Sequence, residues 1–358
     1  MKKRIALLGC GTIGSRAAEI LLRDGDWIAR RTGVELELAR ILVRDLDLDR
    51  GAIPRELFTD RFEEILEDDR IDLVIEVIGG YEDASDYVRE LLSHGISVVT
   101  ANKTLIAREG DELRQIARRS GAALAYDASV GGAVPILAAL RTLVADDIES
   151  IEGVLNGTCN FILSEMERTG CELADAVALA QQRGLAEPDP VADLSGRDAA
   201  EKLCVIASEI GLRLAPDEIA VTGIEAISAE TITAARHNGG RIKLIARYER
   251  GRATIGPKLI EADHPLFEVA GAENALLVRS ALAGSNLLRG RGAGPDPTAA
   301  AILGDVVALL RVSSPRLNHR FTFGASSSRT RSSRALVLRT PSASGSASPS
   351  YSMPTYPR

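Results

Sequence analysis

The sequence predicts an α/β fold, in which a doubly wound parallel sheet is followed by an α+β domain and a disordered C-terminal tail. Short apolar runs alternate with helical patterns over residues 3–130. Strands that are apolar throughout and separated by helices are typical of a parallel sheet covered on both faces. Beyond about residue 131 the pattern of apolar runs changes and predicts a hairpin and further short strands. This indicates a second, largely antiparallel sheet.

The first domain is predicted to contain five strands with helices between them. Residues 4–9 (RIALLG) form a buried strand, and a helix over roughly 12–24 follows it. The other apolar runs cover residues 37–44, 72–80, 96–103 and 123–130. Helical segments between these runs end at glycines, as the C termini of helices often do.

The second domain is predicted to begin with a strand at 148–156 (IESIEGVLN). Residues 241–262 form a hairpin that turns at Arg250–Gly251. Two further strands cover 275–282 and 285–292. After them comes a last amphipathic helix, TAAAILGDVVALL, which ends at Leu310.

A glycine-rich turn, GCGTIG (9–14), directly follows the first strand and opens a helix. Gly9 permits a tight turn, Gly11 lets the backbone approach a pyrophosphate, and Gly14 lets helix and strand pack closely. The N terminus of the helix supplies free N–H groups to the phosphates. This context favours a Rossmann-type dinucleotide site over a glycine turn without a ligand.

The end of the second strand bears on the choice of cofactor. Here Val43-Arg44-Asp45 stands where an acid commonly binds the ribose hydroxyls. Arg44 can meet a 2′-phosphate, whereas Asp45 can serve a bare ribose if the register moves by one residue. We favour NADP and leave NAD open.

Composition limits the class of function. The formal net charge is −7, and seven arginines with no acid from residue 312 onward leave about −14 on the rest of the chain. An acidic body with only 4% aromatic residues is a poor match for a phosphate backbone or for stacked bases.

The four cysteines lie far apart and without metal-binding spacing, as free thiols do in a reducing cytosol. No stretch approaches the roughly 18 apolar residues of a membrane span. We therefore expect a cytoplasmic protein without nucleic-acid or membrane partners.

These patterns divide the chain into three parts. Residues 1–130 are the predicted dinucleotide-binding domain, and 131–297 form a second domain that is followed by the last helix. Residues 312–358 are rich in Ser, Arg and Pro. Such a segment buries too little apolar surface to offset the entropy of ordering, and we expect disorder there.

Several motifs, in this order, resemble those of homoserine dehydrogenases. After the glycine turn they are VRD (43–45), EVIGG (76–80), TANK (100–103), ASVGGAVP (128–135), LNGTCN (155–160), the acidic loop at 184–203 and GAGP (292–295). The resemblance covers about residues 1–311. It implies NAD(P)H-dependent interconversion of aspartate 4-semialdehyde and L-homoserine in threonine, methionine and isoleucine biosynthesis, by a homodimer. It also implies that residues 131–297 are the substrate-binding and dimerisation domain and that the helix at 298–311 completes the dinucleotide-binding domain.

The matching positions give a set of site residues. Those assigned to cofactor binding are Gly9, Gly11, Thr12, Ile13, Gly14, Arg44, Thr100, Lys103 and Gly294. Those assigned to the substrate are Gly184, Glu187, Asp193, Asp198 and Lys202. The resemblance places Lys202 at the acid/base position and Lys103 in contact with both ligands. With Asp198 they are the catalytic candidates.

The acidic loop, GLAEPDPVADLSGRDAAEKL, also permits a structural interpretation. Its helical wheel places Asp198 and Lys202 opposite an apolar stripe, as an ion pair on the face that usually meets water. The functional alternative is a substrate pocket, because an ammonium needs carboxylates and a carbonyl that accepts hydride needs a proton donor. We favour this alternative. Glu187, Asp193 and Asp198 then hold the ammonium or fix the lysine, and Lys202 protonates the developing alkoxide.

A monovalent-cation site, for an ion such as Na⁺, is also implied by the resemblance. Its residues are Asp127, Val130, Gly132 and Val134, which supply mainly carbonyl oxygens. Family members commonly have Glu in place of Asp127 and Gly in place of Ala133.

Other functions are consistent with parts of the sequence. Another amino-acid dehydrogenase of similar build or a non-catalytic NAD(P)-binding sensor would share the glycine turn, and the basic tail alone would suit a nucleic-acid binder. Many members of the resembled family continue into a regulatory ACT domain. The tail lacks the alternating strands and helices of that domain, so we expect no ACT-mediated inhibition by threonine.

Overall fold

The computed structural model describes residues 2–312, which form two six-stranded sheets connected by helices. The predicted disordered tail, apart from its first residue, lies outside the described residues. Among residues 2–312, no helix is both long and apolar enough to cross a membrane.

The first sheet is parallel throughout. Its strands are β1 (Lys2–Leu8), β2 (Glu35–Leu42), β3 (Phe58–Thr59), β4 (Leu73–Glu76), β5 (Ser97–Thr100) and β6 (Leu124–Ala125). Its helices are α1 (Thr12–Thr32), α2 (Glu63–Leu66), α3 (Glu82–Ser93) and α4 (Lys103–Ser120). The strand order is β3-β2-β1-β4-β5-β6, with every neighbouring pair parallel.

Both faces of this sheet are covered. In β1, Ile5 and Leu7 belong to one apolar core, whereas Ala6 and Leu8 belong to another, and none of the four is exposed. Because successive side chains of a strand point to opposite faces, the two cores lie on opposite sides of the sheet. The structure confirms the predicted doubly wound α/β class.

The helix after the glycine turn runs well beyond its predicted end at residue 24. It continues to Thr32 and buries Leu21 and Ile28 on one face. A single interior glycine such as Gly25 costs a helix only about 1 kcal/mol, which this burial outweighs. The helix stops at Gly33, whose φ of 76° is the left-handed conformation of a C-cap.

The predicted strands are too long at their carboxyl ends. β2, β4 and β5 end at Leu42, Glu76 and Thr100, and the last predicted strand has only two residues. Apolar sequence continues past these ends because the following loops are themselves partly buried. Side chains replace the missing ladder bonds there, since Glu76 accepts from the Ile78 N–H at 2.9 Å and the Thr100 hydroxyl from the Asn102 N–H at 2.9 Å.

The second sheet is antiparallel except at one edge. Its strands are β7 (Ile148–Val154), β8 (Ala220–Val221), β9 (Arg241–Glu249), β10 (Arg252–Ile260), β11 (Glu273–Ser280) and β12 (Gly284–Arg291). Their order is β12-β11-β7-β9-β10-β8, and only β8 and β10 pair in parallel. The hairpin turns as predicted at Arg250 and Gly251, whose φ angles are 50° and 79°.

The helices of this part of the chain are α5 (Ile136–Thr142), α6 (Gly157–Thr169), α7 (Leu173–Gln182), α8 (Val191–Leu194), α9 (Arg197–Glu209), α10 (Ala229–His237) and α11 (Pro295–Val312). Of these, α6, α9 and α10 pack against the second sheet, whereas α11 returns to the first sheet. In α11, Ile302 and Val306 join the core that contains Ile5 and Leu7.

Candidate active site

The glycine turn between β1 and α1 leaves no room for side chains at two positions. A Cβ built on Gly9 would lie 2.7 Å from the Val77 carbonyl oxygen, and one on Gly14 would lie 2.2 Å from the Gly9 carbonyl oxygen. Gly9 also has a φ of 96°, which other residues rarely adopt. A Cβ on Gly11 would meet nothing within 4 Å. The turn is therefore tightly packed on the side of Val77, at Gly9 and Gly14, and open at Gly11, next to the start of α1 at Thr12.

A cavity of about 540 Å³ lies in front of this turn. Its lining includes Gly9, Gly11, Arg44 and Asp83. The Arg44 side chain is 82% exposed, and its Nη2 lies 2.6 Å from Asp83 Oδ2. Asp45 does not line this cavity, and its carboxylate accepts a hydrogen bond from the Asp47 backbone at 2.8 Å. Of the two candidates for the ribose end, Arg44 is the one that faces the cavity.

A buried carboxylate organises the loop at the next strand end. Glu76 is fully buried, and it accepts hydrogen bonds from Thr100 Oγ1 at 2.5 Å and from the Ile78 N–H at 2.9 Å. Burial raises the pKa of Glu76. The predicted cofactor residue Thr100 thus has its hydroxyl engaged within the loop. Glu76 was not assigned a role from the sequence, although an acid inside an apolar strand is a signal that could have identified it.

Two further cavities meet beside α4. One, of about 450 Å³, is lined by residues that include Ile13, Glu76 and Asn102. The other, of about 530 Å³, is lined by the predicted substrate residues except Lys202 and by their neighbours, among them Gly184, Glu187, Asp193, Asp198 and Glu201. Lys103, Thr104 and Glu187 line both cavities. The cavity that contains predicted cofactor residues therefore adjoins the cavity that contains predicted substrate residues, and these three side chains lie between them.

Asp198 lies between the two candidate lysines. Its side chain is 10% exposed, with Oδ2 2.8 Å from Lys202 Nζ and Oδ1 3.1 Å from Lys103 Nζ. Asn156 Nδ2 donates to the same Oδ2 at 2.8 Å. Burial alone would raise the pKa of Asp198, but the charges of Lys202 and Lys103 outweigh it and lower the pKa to about 2. Asp198 is thus a stable anion that orients both ammonium groups.

Asp198 and Lys202 on the polar face of α9 are largely covered, unlike the solvated ion pair that the helical wheel alone indicates. Lys202 is 13% exposed, and its Nζ donates to the Leu155 carbonyl at 2.9 Å. The wheel identifies the apolar stripe correctly but carries no information about what covers the opposite face. Here the end of β7 and the start of α4 cover it.

Lys103 is held in its charged form. Burial by itself would lower its pKa, but the negative charges of Asp198, Glu201 and Asp193 outweigh burial and raise the pKa. Asp193 accepts from Asn156 Nδ2 at 2.6 Å, and burial raises the pKa of Asp193.

Asn156 is a site residue that sequence reasoning did not identify. It bridges Asp193 and Asp198 through one amide nitrogen, while its Oδ1 accepts from the Cys159 N–H at 2.7 Å and caps α6. The Asn-Gly pair between a strand and a helix was the available signal. Two other predicted substrate residues are open to the cavity, since Glu187 is exposed and a Cβ on Gly184 would meet nothing within 4 Å.

The residues of the implied cation site lie at the junction of the two sheets. Asp127 Oδ2 accepts from the Ala138 N–H at 3.1 Å, and Oδ1 lies 3.3 Å from Arg141 Nη1 without a hydrogen bond. A Cβ on Gly132 would lie 2.7 Å from the Gly292 carbonyl, so the two loops are in close contact. Asp305 of α11 accepts from the Asp127 N–H at 2.8 Å.

Gly294 lines none of the three cavities described above. It has a φ of 110° and directly precedes α11. Next to it, Asp296 Oδ1 lies 2.5 Å from Arg16 Nε, which ties the start of α11 to α1. Its predicted role in cofactor binding is thus not reflected in a cavity-lining position.

Comparison with known proteins covers both halves of the chain. Residues 9–127 match the family model described as homoserine dehydrogenase, NAD binding domain, and residues 135–307 match the model described as homoserine dehydrogenase. The chain is 41% identical over 318 residues to homoserine dehydrogenase from Corynebacterium glutamicum, covering 86% of this chain and 72% of the relative. It is 38% identical to the enzyme from Synechocystis sp., covering 87% and 74%.

Solved structures agree with these relatives. A homoserine dehydrogenase from Thiobacillus denitrificans matches with a TM-score of 0.82 and 37% identity, over 87% of this chain and 74% of that chain. A hyperthermophilic archaeal homoserine dehydrogenase mutant in complex with NADPH matches with a TM-score of 0.72 and 27% identity, over 89% and 100%. These matches confirm the predicted reaction class, an NAD(P)-dependent oxidoreductase acting on a CH–OH group. The chain belongs to the homoserine dehydrogenase family.

Proposed function

We propose that this enzyme reduces aspartate 4-semialdehyde to L-homoserine where its two adjoining cavities meet, with NADPH preferred and Lys202 as the proton donor. The observation that carries the proposal is the arrangement around Asp198. This carboxylate contacts Lys202 and Lys103 through different oxygens, and Lys103 lines both cavities. Purified enzyme tests it directly, by NADPH oxidation with aspartate 4-semialdehyde against the same assay with NADH.

Each side chain then has a distinct task. When bound, the nicotinamide supplies hydride to the carbonyl carbon, which leaves negative charge on the carbonyl oxygen. Lys202 stabilises that charge and donates the proton, because a positioned cation is most effective where charge develops. Glu187 and Asp193 offer carboxylates for the substrate ammonium in the 530 Å³ cavity that they line, called the acidic cavity below. Lys103 is the second candidate for proton transfer, since it lies between the two cavities.

The assigned domains are also proposals. We assign residues 1–130 with the helix at 298–311 to dinucleotide binding, and 131–297 to substrate binding and dimerisation. The two separate sheets support this division. For a homodimer, the supporting feature is the exposed edge strand β12 with Leu287, next to Leu282 in the preceding turn, because exposed apolar side chains at a sheet edge are typical of pairing surfaces.

Replacing Arg44 with alanine is expected to weaken NADPH binding about ten- to a hundredfold and to change NADH binding less than about twofold. Only NADPH carries the 2′-phosphate, and a charge-assisted hydrogen bond contributes about 1.5–3 kcal/mol. Fluorescence titration gives the Kd of each cofactor. Arg55→Ala is the matched control, since Arg55 is exposed and does not line the cavity. Equal losses for both cofactors would remove Arg44 from the discriminating role.

A monovalent cation such as Na⁺ is proposed at Asp127, with the carbonyls of Val130, Gly132 and Val134. The fit rests on Asp127 Oδ1, which is buried and receives no hydrogen bond. A buried carboxylate oxygen that receives no hydrogen bond is a suitable ligand for a hard cation. The nearby Arg141 competes with such an ion, because its Nη1 lies 3.3 Å from the same oxygen.

Sodium is accordingly expected to raise the melting temperature of the wild-type enzyme relative to choline at equal ionic strength, because an ion that binds only the folded state stabilises it. The Asp127→Asn variant should lose most of this difference. Differential scanning calorimetry in the two chloride salts measures it. A wild-type enzyme that melts at the same temperature in both salts would contradict a bound cation.

A further inference from the structure

Glu201 connects the two parts of the active site. Its carboxylate Oε2 accepts a hydrogen bond from Thr104 Oγ1 at 3.0 Å, across a sequence separation of 97 residues. Thr104 is the second residue of α4, directly after Lys103, whereas Glu201 lies on α9, one helical turn after Asp198. The contact therefore joins the helix that carries one candidate lysine to the helix that carries the other.

The first turn of α4 has an unfavourable charge distribution by itself. It begins with Lys103 and contains no acidic residue, although the N terminus of a helix already carries partial positive charge. Asn102 caps this turn through its side chain, which accepts from the Leu105 N–H at 3.1 Å, but the cap is neutral. The negative charge that favours both the helix end and the lysine comes from another helix, through Asp198 and Glu201.

Glu201 has a different place from Asp198. Asp198 contacts both lysines directly, whereas Glu201 accepts a hydrogen bond from the hydroxyl of Thr104, the residue after Lys103. Glu201 also lines the acidic cavity together with Lys103 and Thr104. It is thus close enough to act on Lys103 electrostatically while its hydrogen bond holds the backbone from which that side chain extends.

We propose that Glu201 is a positioning residue, which fixes the start of α4 through Thr104 and keeps the Lys103 ammonium charged between the two cavities. The inference rests on the proposed function only in giving Lys103 a role in turnover. The contact between the helices and its effect on the Lys103 charge are independent of that role.

The effect of Glu201 on the charge of Lys103 is tested by chemical labelling of that lysine. Glu201→Gln retains an oxygen that can accept from Thr104 but removes the negative charge. Loss of a nearby anion lowers the pKa of a lysine, so more of Lys103 is unprotonated at a fixed mildly alkaline pH. We expect trace acetylation of Lys103 by acetic anhydride to become about three- to tenfold faster. Mass spectrometry measures the rate relative to Lys258, an exposed lysine of β10.

Glu172→Gln is the matched control for this measurement. Glu172 is exposed before α7 and makes no side-chain cap, so its substitution should leave the relative labelling of Lys103 unchanged. If Glu201→Gln also leaves the labelling unchanged while lowering the melting temperature, Glu201 has only a structural role and the proposal is wrong.

The hydrogen bond is tested by a second pair of variants. Thr104→Val removes the hydroxyl at nearly constant shape and is expected to lower kcat/KM roughly three- to tenfold, and Thr104→Ser, which restores the donor, should recover most of the loss. Adding Glu201→Ala to Thr104→Val should cost less than the product of the two single losses, because both remove the same bond. If the double variant loses the full product of the two single losses, Thr104 and Glu201 do not act through this hydrogen bond. If Lys103→Ala retains normal turnover, the proposed role of Lys103 fails, whereas the labelling result still decides the effect of Glu201.

Discussion

Lys202→Ala is expected to lower kcat by about 10²–10⁴, the usual contribution of a positioned general acid, while the Kd for NADPH changes little. The ammonium is held by Asp198 at 2.8 Å and by the Leu155 carbonyl at 2.9 Å, so its position is defined before substrate binds. Lys202 lines none of the three cavities and adjoins only the one with the predicted substrate residues, through Asp198, so cofactor binding should persist.

Stopped-flow and steady-state assays with aspartate 4-semialdehyde measure the loss of kcat, and fluorescence titration measures NADPH binding. Lys258→Ala serves as the control, since Lys258 is exposed on β10. A Lys202→Ala enzyme that keeps more than about half of the wild-type kcat would show that another group donates the proton. Lys103→Ala would then be the first variant to examine, because Lys103 contacts the other oxygen of Asp198.

Asp198→Asn is expected to lower kcat/KM by at least about a hundredfold and the free energy of unfolding by about 3 kcal/mol. The substitution keeps the shape of the side chain but leaves two lysines without the anion between them. Removing one partner of a buried ion pair is costly because the remaining charge is uncompensated. Urea unfolding at neutral pH and steady-state kinetics give the two quantities.

The pH dependence of stability provides a separate check on Asp198. Its pKa is lowered from 3.8 to about 2 in the folded protein, so the folded state binds fewer protons than the unfolded state. This stabilisation is fully present above about pH 4 and is lost as the pH falls toward 2. The advantage of wild type over Asp198→Asn should therefore shrink in that window. A constant difference down to pH 2 would contradict the assigned charge state.

The glycine turn and the strand pattern are examples of what could be predicted locally. Gly9 and Gly14 are required by backbone atoms of the same strand–turn–helix unit and of the neighbouring strand, and the apolar runs reflect burial on both faces. The ends of strands and helices were less predictable. Apolar sequence continues into buried loops, and α1 passes through Gly25 because its buried face extends beyond it.

By itself, the sequence determined the doubly wound fold, the dinucleotide turn and the segment that holds the substrate-site acids, because each depends on residue types at short spacing. Only the tertiary structure decided what those acids contact. The partners of Asp198 include Asn156 and Lys103, which lie 42 and 95 positions away in the chain, and Lys202 donates to a carbonyl 47 positions away. Helical periodicity shows which side of α9 is apolar. What covers the polar side depends on how the two sheets and their helices pack, and no local pattern encodes that.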